Sequence, residues 1–200
     1  MPSGESRLTR YITTMTTLTH LLKRIVTAFF VTFTLTTPSF AQETVLDGLF
    51  QELKEADETN HMRIADRVTA RFEQSGSAAM DLLLRRGGEA LEVGDDRTAI
   101  EHLTALVDHA PEFAEAYNLR ATAYFRTGLI GPALDDLRQV LILNPRHFRA
   151  MFGVGVVMEE LGRQSDAIAA YQAVLELYPL EPEATDALAR LALEIEGQAI

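Results

Sequence analysis

The sequence predicts an all-α solenoid built from stacked helix–turn–helix units. Three observations support this prediction. Residues of one type recur every 34 positions, apolar residues inside each period follow the spacing of a helix face, and glycine and proline mark where helices end. A helical hairpin cannot bury its apolar face alone, so repeated hairpins are expected to stack on one another.

The repeat is carried by identical residues in one register, without gaps. Three series keep the 34-residue spacing: Gly94, Gly128 and Gly162; Ala99, Ala133 and Ala167; and Pro111, Pro145 and Pro179. A further series contains only small residues: Gly87, Ala121 and Gly155. Small side chains in a fixed register predict positions where packed helices approach closely.

The middle period shows how each unit is expected to fold. Its apolar spacing predicts one helix over about 111–127 and a second over 130–143. Between them, Gly128 is expected to end the first helix in a left-handed conformation, where a residue without Cβ costs least. Pro145 ends the second helix and suits the first turn of the next one.

This pattern resembles the tetratricopeptide repeat family, whose 34-residue unit has aromatic, small and proline residues at set offsets. The middle unit carries the most matches: Tyr117, Ala121, Tyr124, Ala133, Leu137 and Pro145. The resemblance implies a right-handed α-solenoid with units 80–113, 114–147 and 148–181. It also implies a protein-binding role for the surface lined by the first helix of each unit.

Both flanks of the three units are expected to be helical. Residues 42–79 are predicted to form a degenerate N-terminal helical hairpin, because the repeat register continues weakly there and places Asn60 at the left-handed cap position. Residues 182–200 are predicted to form a C-terminal capping helix and tail. Terminal units of solenoids are often atypical, since one of their faces meets water.

Residues 1–41 have the layout of a secretory signal peptide. Lys23 and Arg24 precede an apolar stretch over 25–35, and a small-x-small cleavage site ends at Ala41. The apolar stretch has about eleven residues, short of the roughly 20 that cross a bilayer as a helix. We therefore predict cleavage after Ala41 and export to the periplasm of a bacterium.

Two alternatives to this interpretation of the N-terminus stay open. The segment could remain attached and anchor the chain in the membrane, or translation could start at Met15 instead of Met1. If the leader is removed, we expect no stable membrane insertion of the remaining chain.

Composition limits the classes of partner. The chain has a net charge of −11, and its first 41 residues hold four basic residues and one acidic residue, so the other 159 carry 28 acidic and 14 basic residues. Nucleic-acid binding needs clusters of lysine and arginine, so we expect no nucleic-acid partner. The absence of cysteine excludes disulfides, thiolate metal sites and a cysteine nucleophile.

The helix period places a set of side chains on the predicted binding surface of the second and third units. The predicted partner-binding residues are Asn118, Thr122, Phe125, Arg126, Arg149, Phe152 and Val156. Two of them are aromatic residues outside the family's packing positions. With arginines beside them, they are expected to hold an extended or helical peptide that carries an acidic or C-terminal group. The alternative is that these aromatic residues pack against the next helix and that the arginines pair with Glu159 or Glu160.

No pattern in the sequence points to catalysis, and we expect no catalytic site, no cofactor and no metal. His102 and His109 lie seven residues apart on one helix, too far for a chelating pair. Gly153 and Gly155 fall within a predicted helix and lack the strand of a dinucleotide loop. The leading hypothesis is therefore a non-catalytic periplasmic adaptor that binds a protein or peptide. A self-associating repeat protein is the alternative, and an accessory subunit of an envelope enzyme ranks third.

Overall fold

The computed structural model describes residues 37–198, with side chains over 45–196. Within this range the chain forms nine helices and no strand. The helices are α1 (Thr37–Lys54), α2 (His61–Phe72), α3 (Ala78–Glu92), α4 (Asp96–His109), α5 (Ala114–Arg126), α6 (Ile130–Leu143), α7 (Phe148–Glu160), α8 (Gln164–Leu177) and α9 (Pro182–Gln198). The all-helical fold class is as predicted.

Six of these helices form three hairpins that stack. Helices α3–α4, α5–α6 and α7–α8 pair within hairpins, and neighbouring hairpins pack through α4–α5 and α6–α7. Helix α9 packs on α8 and continues the stack. The first helices α3, α5 and α7 also contact one another in sequence, so they share one face of the solenoid.

Glycine ends the first helix of each of the three stacked hairpins, as predicted. Gly94, Gly128 and Gly162 have φ of 77°, 76° and 68°, a conformation that favours a residue without Cβ. After Gly128, the Leu129 N–H donates to the Tyr124 carbonyl at 2.8 Å, which closes the helix with the 6→1 bond of a Schellman cap.

Pro111, Pro145 and Pro179 each lie in the turn before a helix, and the predicted helix start near Pro111 is three residues too early. The Phe113 N–H donates to the Ala110 carbonyl at 3.0 Å, so Pro111 occupies the second position of a four-residue turn. Pro145 lies in the same kind of turn, which precedes α7 and does not form its first turn. The fixed φ of proline favours this turn position as well as a helix start.

The small residues do mark close helix approaches. A Cβ on Gly87 would lie 2.6 Å from Leu103 Cγ, and one on Gly155 would lie 2.4 Å from Tyr171 Cε1. Ala133 and Ala167, on the second helices, are fully buried. At Gly87 and Gly155, the small residue of the repeat lies where the two helices of a hairpin approach most closely.

The N-terminal hairpin of α1 and α2 packs against the third unit. Its apolar residues share a core cluster with residues of α7, α8 and α9, including Phe148 and Tyr178. The Phe72 ring stacks on His147 with centroids 4.4 Å apart, and Arg146 lies over Phe50 with its guanidinium 4.8 Å from the ring centroid. The core cluster of the first unit contains, among the residues that the structure describes, none from α1 or α2.

The expectation for Asn60 is wrong. Asn60 immediately precedes α2 with φ of −128°, so it begins a helix and does not end one in the left-handed region. Gly76, four residues after Phe72, takes the positive φ instead, at 80°. The 34-residue register therefore does not predict where the helices of this hairpin end.

The predicted leader lies mostly outside the described residues. Helix α1 begins at Thr37, so the proposed cleavage site after Ala41 falls within it. Among the helices of residues 37–198, none combines the length and apolar character of a membrane-crossing segment.

Candidate functional site

The first helices of the second and third units frame a cavity of about 440 Å³, here called the groove. Helices α5 and α7 supply its walls, and the start of α9 closes one side. Six of the seven predicted partner-binding residues line it: Asn118, Thr122, Phe125, Arg149, Phe152 and Val156. The structure thus brings together on one surface residues that the sequence spreads over 39 positions.

The seventh predicted residue, Arg126, does not line the groove. Its Nη1 donates to the Leu91 carbonyl at 2.8 Å, and its Nε lies 3.1 Å from Asp96 Oδ1. Both partners belong to the first hairpin or its turn. Arg126 therefore ties α5 to the preceding unit, and its assignment as a partner-binding residue is not supported by its position.

Of the three phenylalanines that line the groove, Phe148 is buried and Phe125 and Phe152 are half-buried. The Phe152 ring packs against Tyr171 of α8 at a tilt, with centroids 5.2 Å apart, and Phe125 packs against the core of the second unit. The expectation that they pack on neighbouring helices is thus met in part. Each ring also faces the groove, which gives the groove an apolar floor.

Asn118 and Thr122 give the groove a polar wall on α5. Asn118 is buried, and its Nδ2 donates to Glu115 Oε1 at 3.0 Å. The Thr122 hydroxyl donates to the Asn118 carbonyl at 3.2 Å, and its side chain is exposed. These bonds fix the wall in place, and Thr122 is the polar residue on it that a ligand reaches most easily.

A buried hydrogen bond between His147 and Glu115 lies behind the groove wall. Glu115 and His147 have fully buried side chains, with His147 Nε2 lying 2.8 Å from Glu115 Oε2. The Ala150 N–H donates to His147 Nδ1 at 3.2 Å, so Nε2 carries the proton and donates to the carboxylate. The same carboxylate lies 3.7 Å from Arg149 Nη1, which holds that guanidinium at the rim.

Sequence reasoning missed this pair. His147 follows Pro145 in a turn, and Glu115 is one of many glutamates near a helix start. No sequence signal distinguishes them, and the Phe72 ring that stacks on the imidazole comes from the N-terminal hairpin, 75 positions away in the chain.

The groove continues into a more open cavity of about 790 Å³, here called the acidic extension. The two share Phe125, Phe152, Val156 and Glu183. The charged residues that line the acidic extension are Glu159, Glu160, Glu183, Asp186, Arg190 and Glu194. Sequence reasoning missed those on α9, because it treated that helix only as a cap.

Two carboxylates around the groove have shifted pKa values of opposite sign. Burial, followed by the negative charges of Glu183 and Asp186, raises the pKa of Glu181, which lines the groove. A bidentate hydrogen bond from Arg190 lowers the pKa of Glu159. On the α9 side of the groove, Arg190 pairs with Glu159 and Glu194, whereas Glu183 and Asp186 form no ion pair within residues 45–196.

The chain resembles proteins built from the same repeat. A sequence profile of the tetratricopeptide repeat matches residues 84–133 and 130–182. A TPR repeat-containing protein of Rhizobium etli is 31% identical over 153 residues, which make up 76% of this chain and 75% of that protein. Mouse tetratricopeptide repeat protein 28 is 34% identical over 96 residues, or 48% of this chain, but these are 4% of that protein.

Two solved structures with bound peptides show a similar fold. The first TPR of Spaghetti (RPAP3) bound to the HSP90 peptide SRMEEVD is 27% identical with a TM-score of 0.56, covering 58% of this chain and 93% of that one. The second TPR domain of human RPAP3 in complex with the HSP70 peptide SGPTIEEVD is 25% identical with a TM-score of 0.51, covering 54% and 90%.

Proposed function

Since this chain belongs to the tetratricopeptide repeat family, we propose that it is a non-catalytic adaptor that holds a segment of a partner protein in the groove. One observation carries the proposal. The exposed wall residues and half-buried aromatic rings of α5 and α7 converge on one open cavity of about 440 Å³. Apolar clefts with a few placed polar groups are the usual form of a peptide site.

The aromatic floor is expected to supply most of the affinity. Phe125 and Phe152 offer rigid rings that a partner's apolar side chain covers, and such anchors dominate binding energy at interfaces. Thr122 and Arg149 lie on the walls, where they provide hydrogen bonds and fix orientation. This division of roles matches binding modules more closely than catalytic centres, which need a nucleophile or an acid–base pair in the cavity.

We further propose that this adaptor works in the bacterial periplasm. The support is the arrangement of basic residues, short apolar stretch and small-x-small site within residues 1–41. N-terminal sequencing of the purified protein tests this proposal. We expect the sequence to begin at Gln42, and a soluble cytoplasmic protein with an intact N-terminus would contradict export.

The binding role is tested by photo-crosslinking from the groove. A benzoylphenylalanine is placed at Thr122, the protein is illuminated in living cells, and crosslinked products are identified by mass spectrometry. We expect a defined partner protein, and we expect Phe152→Ala to reduce its crosslinking about tenfold, because the anchor ring is lost. Ile142→Ala is the matched control, since Ile142 is an exposed apolar residue on α6, outside the groove.

The products also separate the two binding hypotheses. Crosslinking to a second copy of the chain is what self-association predicts, and it is recognised by its mass. If crosslinking from the groove is unchanged in Phe152→Ala, and circular dichroism shows that the variant is folded, the Phe152 ring does not contribute to binding.

A further inference from the structure

Arg149, which lines the groove, and Arg190, which lines the acidic extension, each lie close to a carboxylate of the protein itself. Arg190 lies with Nη1 2.6 Å from Glu159 Oε2 and Nη2 2.9 Å from Glu159 Oε1, a bidentate pair. Arg149 lies 3.7 Å from the buried Glu115. A ligand carboxylate would have to compete with these internal partners for either guanidinium.

Several carboxylates of the same surface have no such partner. Glu160, Glu183 and Asp186 are exposed and, within residues 45–196, take part in no ion pair. Glu183 lines both cavities and so lies beside the aromatic floor. Glu183 and Asp186 lie three residues apart on α9, a spacing at which like charges on a helix repel one another. Burial raises the pKa of the neighbouring Glu181, and the charges of Glu183 and Asp186 add to this effect.

We propose, on the basis of the binding role above, that the partner segment of this groove is basic: it carries arginine or lysine beside the apolar residue that covers Phe125 and Phe152. A cation next to Glu183 and Asp186 relieves their repulsion, whereas an acidic residue adds to it. This replaces the expectation of an acidic or C-terminal group, which rested on the arginines alone.

The proposal also separates this chain from the peptide-bound structures that share its fold. The peptides in those structures, SRMEEVD and SGPTIEEVD, end in two glutamates, a valine and an aspartate. The described surface around this groove contributes six carboxylates, Glu159, Glu160, Glu181, Glu183, Asp186 and Glu194, against the two arginines. Specificity between partners follows from repulsion as much as from attraction, so acidic peptides of that kind are expected to be disfavoured.

The test uses two fluorescein-labelled peptides with the same alternating leucines and phenylalanines. One peptide carries arginine at the intervening positions and the other carries glutamate. Binding to the purified full chain is measured by fluorescence anisotropy. We expect the arginine peptide to bind at least about tenfold more tightly, and its affinity to fall as salt is raised from low to physiological ionic strength.

A charge-reversed variant locates the effect. Glu183→Lys combined with Asp186→Lys is expected to weaken the arginine peptide about tenfold and to strengthen the glutamate peptide. Asp135→Lys is the control for charge reversal, because Asp135 is exposed on α6 and lines neither cavity. Circular dichroism checks that each variant is folded.

The outcomes distinguish this inference from the adaptor role. Equal binding of the two peptides, or a preference for the glutamate peptide, overturns the inference and leaves a peptide-binding groove in place. Binding of neither peptide also overturns the inference, whereas the adaptor role is decided by crosslinking from Thr122. The preference for the arginine peptide could also persist in the Glu183→Lys, Asp186→Lys variant and be lost in Asp135→Lys. That result would show that the basic peptide binds to another surface, and it would overturn the proposal.

Discussion

Replacing Glu115 by alanine is expected to destabilise the protein by about 3 kcal/mol. The carboxylate is fully buried and accepts hydrogen bonds from His147 Nε2 and Asn118 Nδ2. Without it, both donors stay buried with no acceptor, and Arg149 loses its nearest carboxylate. Urea unfolding followed by circular dichroism measures the change in the free energy of unfolding.

Glu112→Ala is the matched control for this variant. Glu112 is exposed in the turn before α5, so its loss is expected to change stability by less than about 0.5 kcal/mol. Glu115→Gln keeps one acceptor and should fall between the two. A Glu115→Ala protein as stable as the wild type would show that the buried pair contributes nothing to the fold.

Introducing leucine at Gly155 is expected to cost about 3 kcal/mol, because the helices of the third hairpin leave no room for a side chain. Even a Cβ would lie 2.4 Å from the Tyr171 ring, and a ring cannot move aside as the tip of a flexible chain does. Tyr171 is 1% exposed and donates from its hydroxyl to Glu159, so it is held at both ends. A fall in the thermal unfolding midpoint measures the effect.

The control is a helical glycine with space around it. At Gly88 a Cβ would meet only Leu119 Cδ1, at 3.9 Å, an ordinary contact. Gly88→Ala is therefore expected to stabilise the chain by about 0.5–1 kcal/mol, through the lower helix propensity of glycine. If Gly155→Leu matched the wild type, the interpretation of the small-residue series as close helix contacts would be wrong.

The solenoid was largely predictable because its determinants are local. Gly128 closes a helix through its own backbone conformation, and the period of 34 fixes which helices pair. The error of three residues at the start of α5 also has a local cause. Proline is favoured both in the second position of a turn and in the first turn of a helix, so its position alone does not determine where the helix begins.

The groove was predictable only in part. The helix period gives the direction of Asn118, Phe125 and Phe152, since each faces the same side as its neighbour one repeat away. The helix period does not predict which other elements cover the groove or which charged residues line it. Glu183 lines the groove because α9 packs on α8. Arg126 lies outside the groove because its guanidinium donates to the Leu91 carbonyl.

The N-terminal hairpin shows the same limit. The placement of Phe72 on His147 joins residues that lie 75 positions apart and in no repeat register with one another. Such a contact depends on shape and burial in three dimensions. Sequence periodicity therefore predicts how the repeat units stack. The surfaces on which the N-terminal hairpin packs and a partner binds follow only from the three-dimensional structure.

The central claim is that the groove, and not the opposite face of the solenoid, binds the partner. The most direct measurement compares the yield of partner crosslinks from benzoylphenylalanine at Thr122 with the yield from Arg138, an exposed position on α6 outside the groove. We predict a partner crosslink at Thr122 and none at Arg138. Equal yields from both positions, or a crosslink at Arg138 alone, would contradict the claim.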